Sequence, residues 1–226
     1  MYSAWPCPLA QGGTGEEFAL GFDSQRDRRI ILLPPLLDEA NKFRRQIVEI
    51  STLLDERGVD AVIPDLPGCN ESLAPHGEQT LARWRRWAAA AAAHFSATHV
   101  VGFRSGGWLA PVELPGWLLA PPKPKSILRN LMRAHGIALR EAGMPQAAES
   151  LLEQARREGI TIGGWALSAE LVRELEKEQF TASARQEVIA QEQLGGPGLW
   201  LSSENHWDAA QANALVDIVI AGLDAP

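Results

Sequence analysis

The sequence predicts an α/β fold: a doubly wound, mainly parallel sheet with a helical insertion after its fourth main strand. Three observations carry that expectation. Short runs that are apolar throughout alternate with stretches of helical period, the connections between them are brief, and one strand leads into a helix through a turn rich in glycine. Continuously apolar strands suit a sheet covered on both faces by helices.

The first 14 residues, rich in Gly and Pro, read as an extended arm or edge segment. Glu17–Phe22 and Arg29–Leu33 read as strands. Residues 42–57 place Phe43, Ile47, Ile50 and Leu54 on one helical face, and Gly58 ends that helix. Val59–Pro64 is the next strand. Residues 80–95 form a helix whose alanine run, Ala88–Ala93, allows close packing on a sheet, with Trp84, Trp87 and Phe95 as its large apolar groups. His99–Gly102 and Gly116–Ala120 are further strands.

After Pro121-Pro122 the pattern changes to three helices, 126–142, 146–157 and 168–179, with no clear strand between them. Ser168 is a candidate N-cap. Gln186–Ala190 and Gly198–Leu201 read as the last two strands, and a helix over about 207–223 closes the chain. Residues 1–226 are thus expected to form one domain, with 123–180 as a helical insertion within it.

At 226 residues, 46% hydrophobic and 22% charged, the chain can bury one sizeable core. A formal charge of −7 argues against a nucleic-acid partner, because phosphate binding needs concentrated positive charge. Arg83, Arg85 and Arg86 read as a solvated helix face. Cys7 and Cys69 make neither a disulfide framework nor a zinc site, and no metal or cofactor is expected. No leader and no membrane span is evident, which points to a soluble, reduced, cytoplasmic protein.

The most informative segment is Val100–Ala110, VVGFRSGGWLA. A nucleophile elbow follows the pattern small-x-nucleophile-x-small, because the sharp strand-to-helix turn leaves no room beside its apex. Gly102 and Gly106 fit the small positions, and Gly107 follows them. The apex is Arg104. Ser105 sits one position too late and points elsewhere. A guanidinium stays protonated, so it is neither nucleophile nor general base. Buried there, it needs a carboxylate partner, for which Asp38, Glu39, Glu71 and Glu192 are the candidates, all expected on loops at the strand C-terminal ends. Arg104 then belongs either to a structural ion pair plugging a dead site or to an anion-binding site shared with backbone N–H groups.

Other loops fall on the rim of that expected site. Pro34–Lys42 follows the second strand, where an oxyanion N–H is usually donated. Asp65–Ser72 has the form D-x-x-G-x-x-x-S. Glu192 follows the strand that ordinarily delivers a triad acid, and His206 lies between the last strand and the last helix, where a triad histidine sits. His76, His94, His99 and His135 read as surface or packing residues. Cys69 with His206 is a possible nucleophilic pair, although a free cysteine more usually packs as a small hydrophobe. Ser105 is the other displaced nucleophile to weigh.

Taken together, P-P-x-x-x-E-x-N-K-x-R-R and D-L-x-G-C-x-x-S within Arg29–Ala74, the stretch GFRSGGWLA and the later GGWALS resemble one family. It is the second hydrolase-like family associated with the exosortase A system of exopolysaccharide-producing Gram-negative bacteria, within the α/β-hydrolase superfamily. The resemblance covers most of the chain and includes an elbow that carries arginine. It marks Glu39, Asn41, Lys42, Arg44, Arg45, Asp65, Gly68, Cys69, Ser72 and Arg104; Asn70 and Glu71 stand where that family more often has Gly and Asp. The resemblance implies a hydrolase-like bacterial protein linked to exopolysaccharide and protein sorting, but not a reaction. The expected function is therefore a non-catalytic or atypical protein that binds a small acidic ligand or a protein partner. An ester or thioester hydrolase using Cys69 or Ser105 with His206 is the first alternative. An interaction module docking through helix 80–95 is the second.

Overall fold

The computed structural model describes residues 1–9, 12–144, 146–202 and 207–224. Four parallel strands form the middle of its large sheet, in the order β4 (Asp60–Pro64), β3 (Arg29–Leu33), β5 (His99–Phe103) and β6 (Gly116–Leu119). Every position in them is buried except the first of β5, as expected of strands that lose water on both faces. β9 (Gln186–Ile189) extends the sheet in parallel beyond β6. On the other flank β2 (Thr14–Phe22) runs antiparallel to β4, and β1 (Tyr2–Pro8) antiparallel to β2. The opening segment is thus the edge strand β1.

Alternation along β3 divides the interior into two cores. Ile30 and Leu32 face Phe43, Ile47, Ile50 and Leu54 of α1 (Asp38–Glu56) and Leu215, Val216 and Val219 of α7 (Ala209–Leu223). Ile31 and Leu33 face the other way, toward Trp84, Trp87, Ala88 and Ala91 of α2 (Leu81–His94). The alanines let α2 lie close on the sheet while its two tryptophans fill the sides. Thr80 caps α2 by accepting from the Arg83 N–H, and Asp208 caps α7 by accepting from Gln211.

Between β6 and β9 the chain runs through α3 (Pro124–Glu141), α4 (Ala148–Glu158), a β-hairpin and α5 (Ala169–Lys177). The hairpin corrects the expectation that no strand separates these helices. β7 (Ile160–Ile162) pairs antiparallel with β8 (Trp165–Leu167). Gly163 and Gly164, both at positive φ, make the two-residue turn that matches strand twist. Three-residue strands are too short to show an alternating pattern, which is why the sequence did not reveal them. Ser168 caps α5, accepting from the Leu171 N–H at 3.0 Å.

A second correction concerns Gly198–Leu201. Leu199–Leu201 is a single 3-10 turn and does not join the sheet. The Trp200 ring folds back so closely that a Cβ on Gly198 would lie 2.5 Å from it. A third concerns the carboxylates expected on loops. Asp38 and Glu39 open α1, and Glu192 lies in α6 (Gln191–Leu194), a short helix directly after β9.

Candidate functional site

The elbow follows β5 and leads into the helix expected there, a 3-10 helix over Arg104–Leu109. Its apex, Arg104, has φ of 53°, a left-handed conformation that non-glycine residues seldom adopt. The space around it dictates the flanking glycines. A Cβ on Gly102 would lie 2.6 Å from the Gly107 Cα, and one on Gly106 would lie 2.1 Å from the Leu33 carbonyl oxygen. Gly107 is under no such constraint, its nearest neighbour being 3.5 Å away.

The Arg104 side chain is buried and fully engaged. Its Nε donates to Glu39 Oε2 at 3.0 Å and its Nη2 to Glu39 Oε1 at 3.2 Å, the two-point geometry that suits a guanidinium and a carboxylate. Nη1 donates to the Ala120 carbonyl at the end of β6. The Trp200 ring covers one face, with its centroid 3.7 Å from Arg104 Cζ. Trp200 itself stacks on Phe43 and is tethered by Lys42, whose Nζ donates to the Trp200 carbonyl at 3.2 Å. Glu39 is also buried and sits in the first turn of α1, where the helix dipole favours an anion. Leu37 before α1 and Ala120 after β6 are also left-handed, at φ of 63° and 42°. Three unusual backbone turns therefore converge on one ion pair.

The other candidate carboxylates lie elsewhere. Asp38 and Glu192 are exposed. Glu71, also exposed, meets Arg44 at 3.4 Å. Ser105 is 2% exposed, and its Oγ accepts the Leu36 N–H at 2.8 Å, pinning the loop after β3. His206, with Glu204 and Asn205, lies outside the described residues.

The D-x-x-G-x-x-x-S loop is knotted by its own polar groups. Asp65 accepts from Asn70 Nδ2 at 2.7 Å and from the Glu71 N–H at 3.4 Å. Ser72 Oγ accepts from the N–H groups of Gly68 and Ala74 and donates to Glu17. Gly68, at φ of 80°, passes so close to Gln79 and His76 that a Cβ would collide. Asp65 and Ser72 thus hold the loop in shape. Burial raises the Asp65 pKa from its ordinary value, against the opposing effect of its hydrogen bonds to Asn70 and Glu71. Burial, with Asp65 and Glu17 nearby, also pushes the Cys69 thiol up to about 12. A thiol held protonated by its surroundings in this way is a poor nucleophile on its own.

Beside the elbow lies a pocket of about 330 Å³. The Pro34–Leu37 loop and the first turns of α1 form one wall, the loop from Leu66 to Glu71 forms another, and Trp165 of β8 adds to the lining. Its polar groups include Asn41, Arg44 and Cys69; Arg104, Ser105 and Glu192 do not line it. Trp165 is held by His76, whose ring lies 5.0 Å from the indole and whose Nδ1 is 2.7 Å from the Ala166 carbonyl oxygen. Sequence reasoning missed both tryptophans that shape the site. Trp200 was hidden in a run read as a strand, and Trp165 in a hairpin too short to see. Among the described residues, no group of three or more His, Cys, Asp or Glu side chains is placed to hold a metal ion. No helix among them is long and apolar enough to cross a membrane.

No protein-family model and no curated protein matches the chain. Solved structures do. Alpha/beta hydrolase domain-containing protein 10 from mouse aligns over 98% of both chains with a TM-score of 0.56 and 14% identity. A protein assigned as a hydrolase from Agrobacterium vitis S4 aligns over 98% of both chains with a TM-score of 0.52 and 15% identity. At such identities a likeness speaks for architecture alone. The mainly parallel sheet, its flanking helices and these two structures together show that the chain has the α/β-hydrolase fold.

Proposed function

We propose that this protein is a non-catalytic member of its fold, binding a small ligand with an apolar body and an acidic group in the pocket lined by Trp165. The observation that carries this reading is the closed ion pair at the elbow. With Glu39, the Ala120 carbonyl and Trp200 already on the Arg104 guanidinium, the apex presents neither an attacking atom nor a free cation. The anion-binding role weighed for Arg104 passes to Arg44, which lines the neighbouring pocket and meets Glu71 only at 3.4 Å, with both side chains well exposed. A pocket of a few hundred Å³ with an apolar lining and few polar groups suits a small molecule. The resemblance to the exosortase-associated family suggests that such a ligand belongs to exopolysaccharide or protein-sorting biology.

A second reading is favoured by one observation: Cys69 lines the same pocket. A thiol there, activated by His206, would make the protein an ester or thioester hydrolase. Two measurements separate the readings. Turnover of short acyl esters and thioesters is compared among wild type, Cys69→Ala, Ser105→Ala and His206→Ala. Thermal stabilisation by a panel of small carboxylates and phosphate esters is compared between wild type and Arg44→Ala. The binding reading expects no turnover above buffer, and stabilisation that Arg44→Ala removes. Turnover abolished by both Cys69→Ala and His206→Ala would establish the enzyme instead.

A further inference from the structure

Helix α3 differs in charge from the rest of the molecule. It carries Lys125, Arg129, Arg133 and Arg140 against a single acid, Glu141, in a chain whose formal charge is −7. At 100° per residue the four cations fall within one narrow arc of the helix, forming a stripe about 22 Å long at 1.5 Å per residue. Several arginines elsewhere are held by carboxylates, among them Arg26, Arg28, Arg57, Arg85 and Arg156. Arg129, Arg133 and Arg140 form none among the described residues.

Apolar groups flank this stripe. Leu128, Met132 and Leu152 line a groove of about 630 Å³ between α3 and α4, beside the same cations. Gly136 leaves it open, with nothing within 4 Å of where a Cβ would stand. Ile137, 46% exposed, also lines this groove, and just past the helix Met144 is 61% exposed. For its 18 residues α3 fully buries only Pro124 and Leu128.

We infer that α3 is an interfacial docking surface for a membrane rich in anionic lipid headgroups. A stripe of this length exceeds the span of one small anion and matches an extended array of negative charge. Basic residues interleaved with exposed apolar ones are what an interfacial helix presents, the cations at the headgroups and the apolar side chains at the acyl boundary. The acidic remainder of the chain is repelled by the same surface, so the molecule docks with α3 facing the membrane.

Co-sedimentation of the full chain with phosphatidylcholine vesicles, with and without 30% phosphatidylglycerol, tests this. Binding is expected only to the anionic vesicles and is expected to weaken at least tenfold in 0.5 M salt. Arg129→Glu/Arg133→Glu is expected to lower it at least tenfold, and Ile137→Ser/Met144→Ser to lower it severalfold. Arg86→Glu, a control on α2, is expected to leave it within twofold. All these side chains are exposed, and unchanged thermal melts verify that each variant folds. Equal binding to neutral and anionic vesicles, no binding to either, or insensitivity to the double charge reversal would each overturn the proposal. Binding to soluble polyglutamate as tight as to vesicles would also overturn it, in favour of an acidic protein partner.

Discussion

Arg104 and Glu39 meet through two parallel hydrogen bonds, joining the turn after β5 to the first turn of α1 across 65 residues of sequence. Both side chains are almost wholly withdrawn from water. In a low-dielectric setting, removing one partner does more harm than removing both, because a lone buried charge remains.

Glu39→Gln should therefore destabilise the fold by about 3–5 kcal/mol, measured by urea denaturation. The paired change Arg104→Met/Glu39→Leu should restore most of that loss. If Glu39→Gln unfolds at the wild-type urea midpoint, the pair contributes nothing.

Arg104→Ser would put a hydroxyl at the apex of the elbow. We expect no ester turnover from it, since Glu39 would be left as an uncompensated carboxylate beside the new serine. The same variant should lose stability on the scale of Glu39→Gln. Measurable acyl transfer by Arg104→Ser would show that a working base and oxyanion site survive in this chain.

The two adjacent glycines of the elbow should respond differently to alanine. At Gly106 the new methyl meets the Leu33 and Pro34 carbonyl oxygens at 2.1 and 2.4 Å, and backbone cannot swing aside. Gly106→Ala should cost about 1–3 kcal/mol or prevent folding. Gly107→Ala, with its nearest neighbour at 3.5 Å, should be close to neutral. Thermal melts of the two variants make the comparison.

Stability should fall on the alkaline side because of the thiols. Burial raises both Cys7 and Cys69 from an ordinary 9.0 to about 12. Between those values the unfolded chain releases thiol protons that the folded chain retains, so unfolding gains ground as pH rises. The contribution is fully present below pH 9 and is lost toward pH 12. Cys7→Ala/Cys69→Ala should flatten this part of the profile. At pH 7 Cys69 should react with iodoacetamide far more slowly in the folded protein than in urea.

Much of the fold was legible because its signals are local. Ile30–Leu33 reads as a buried strand from four consecutive apolar residues, and the periods of α1 and α2 are carried by side chains that do face the cores. The elbow was legible because its two small residues flank the apex within five positions, although the backbone that crowds Gly106 comes from Leu33 and Pro34. The environment of Arg104 was not. Its partner stands 65 residues away, its covering ring 96, and no spacing rule selects Glu39 over Asp38, Glu71 or Glu192. Trp200 misled for a related reason: Leu199–Leu201 looks like a strand by composition, yet its conformation accompanies an aromatic ring seated over a distant cation. The β7–β8 hairpin escaped because alternation over three residues is indistinguishable from chance.

The closed guanidinium also bears on which substitutions this fold can accept. A single substitution at the bend strands Glu39, and a single substitution at Glu39 strands the bend, so either change alone passes through a less stable protein. Trp200, Lys42 and the left-handed turns at Leu37 and Ala120 are all fitted to the present occupant. The pair therefore works as a lock: the turn after β5 and the start of α1 can change only together, and folding enforces the coupling whatever the pocket beside them binds.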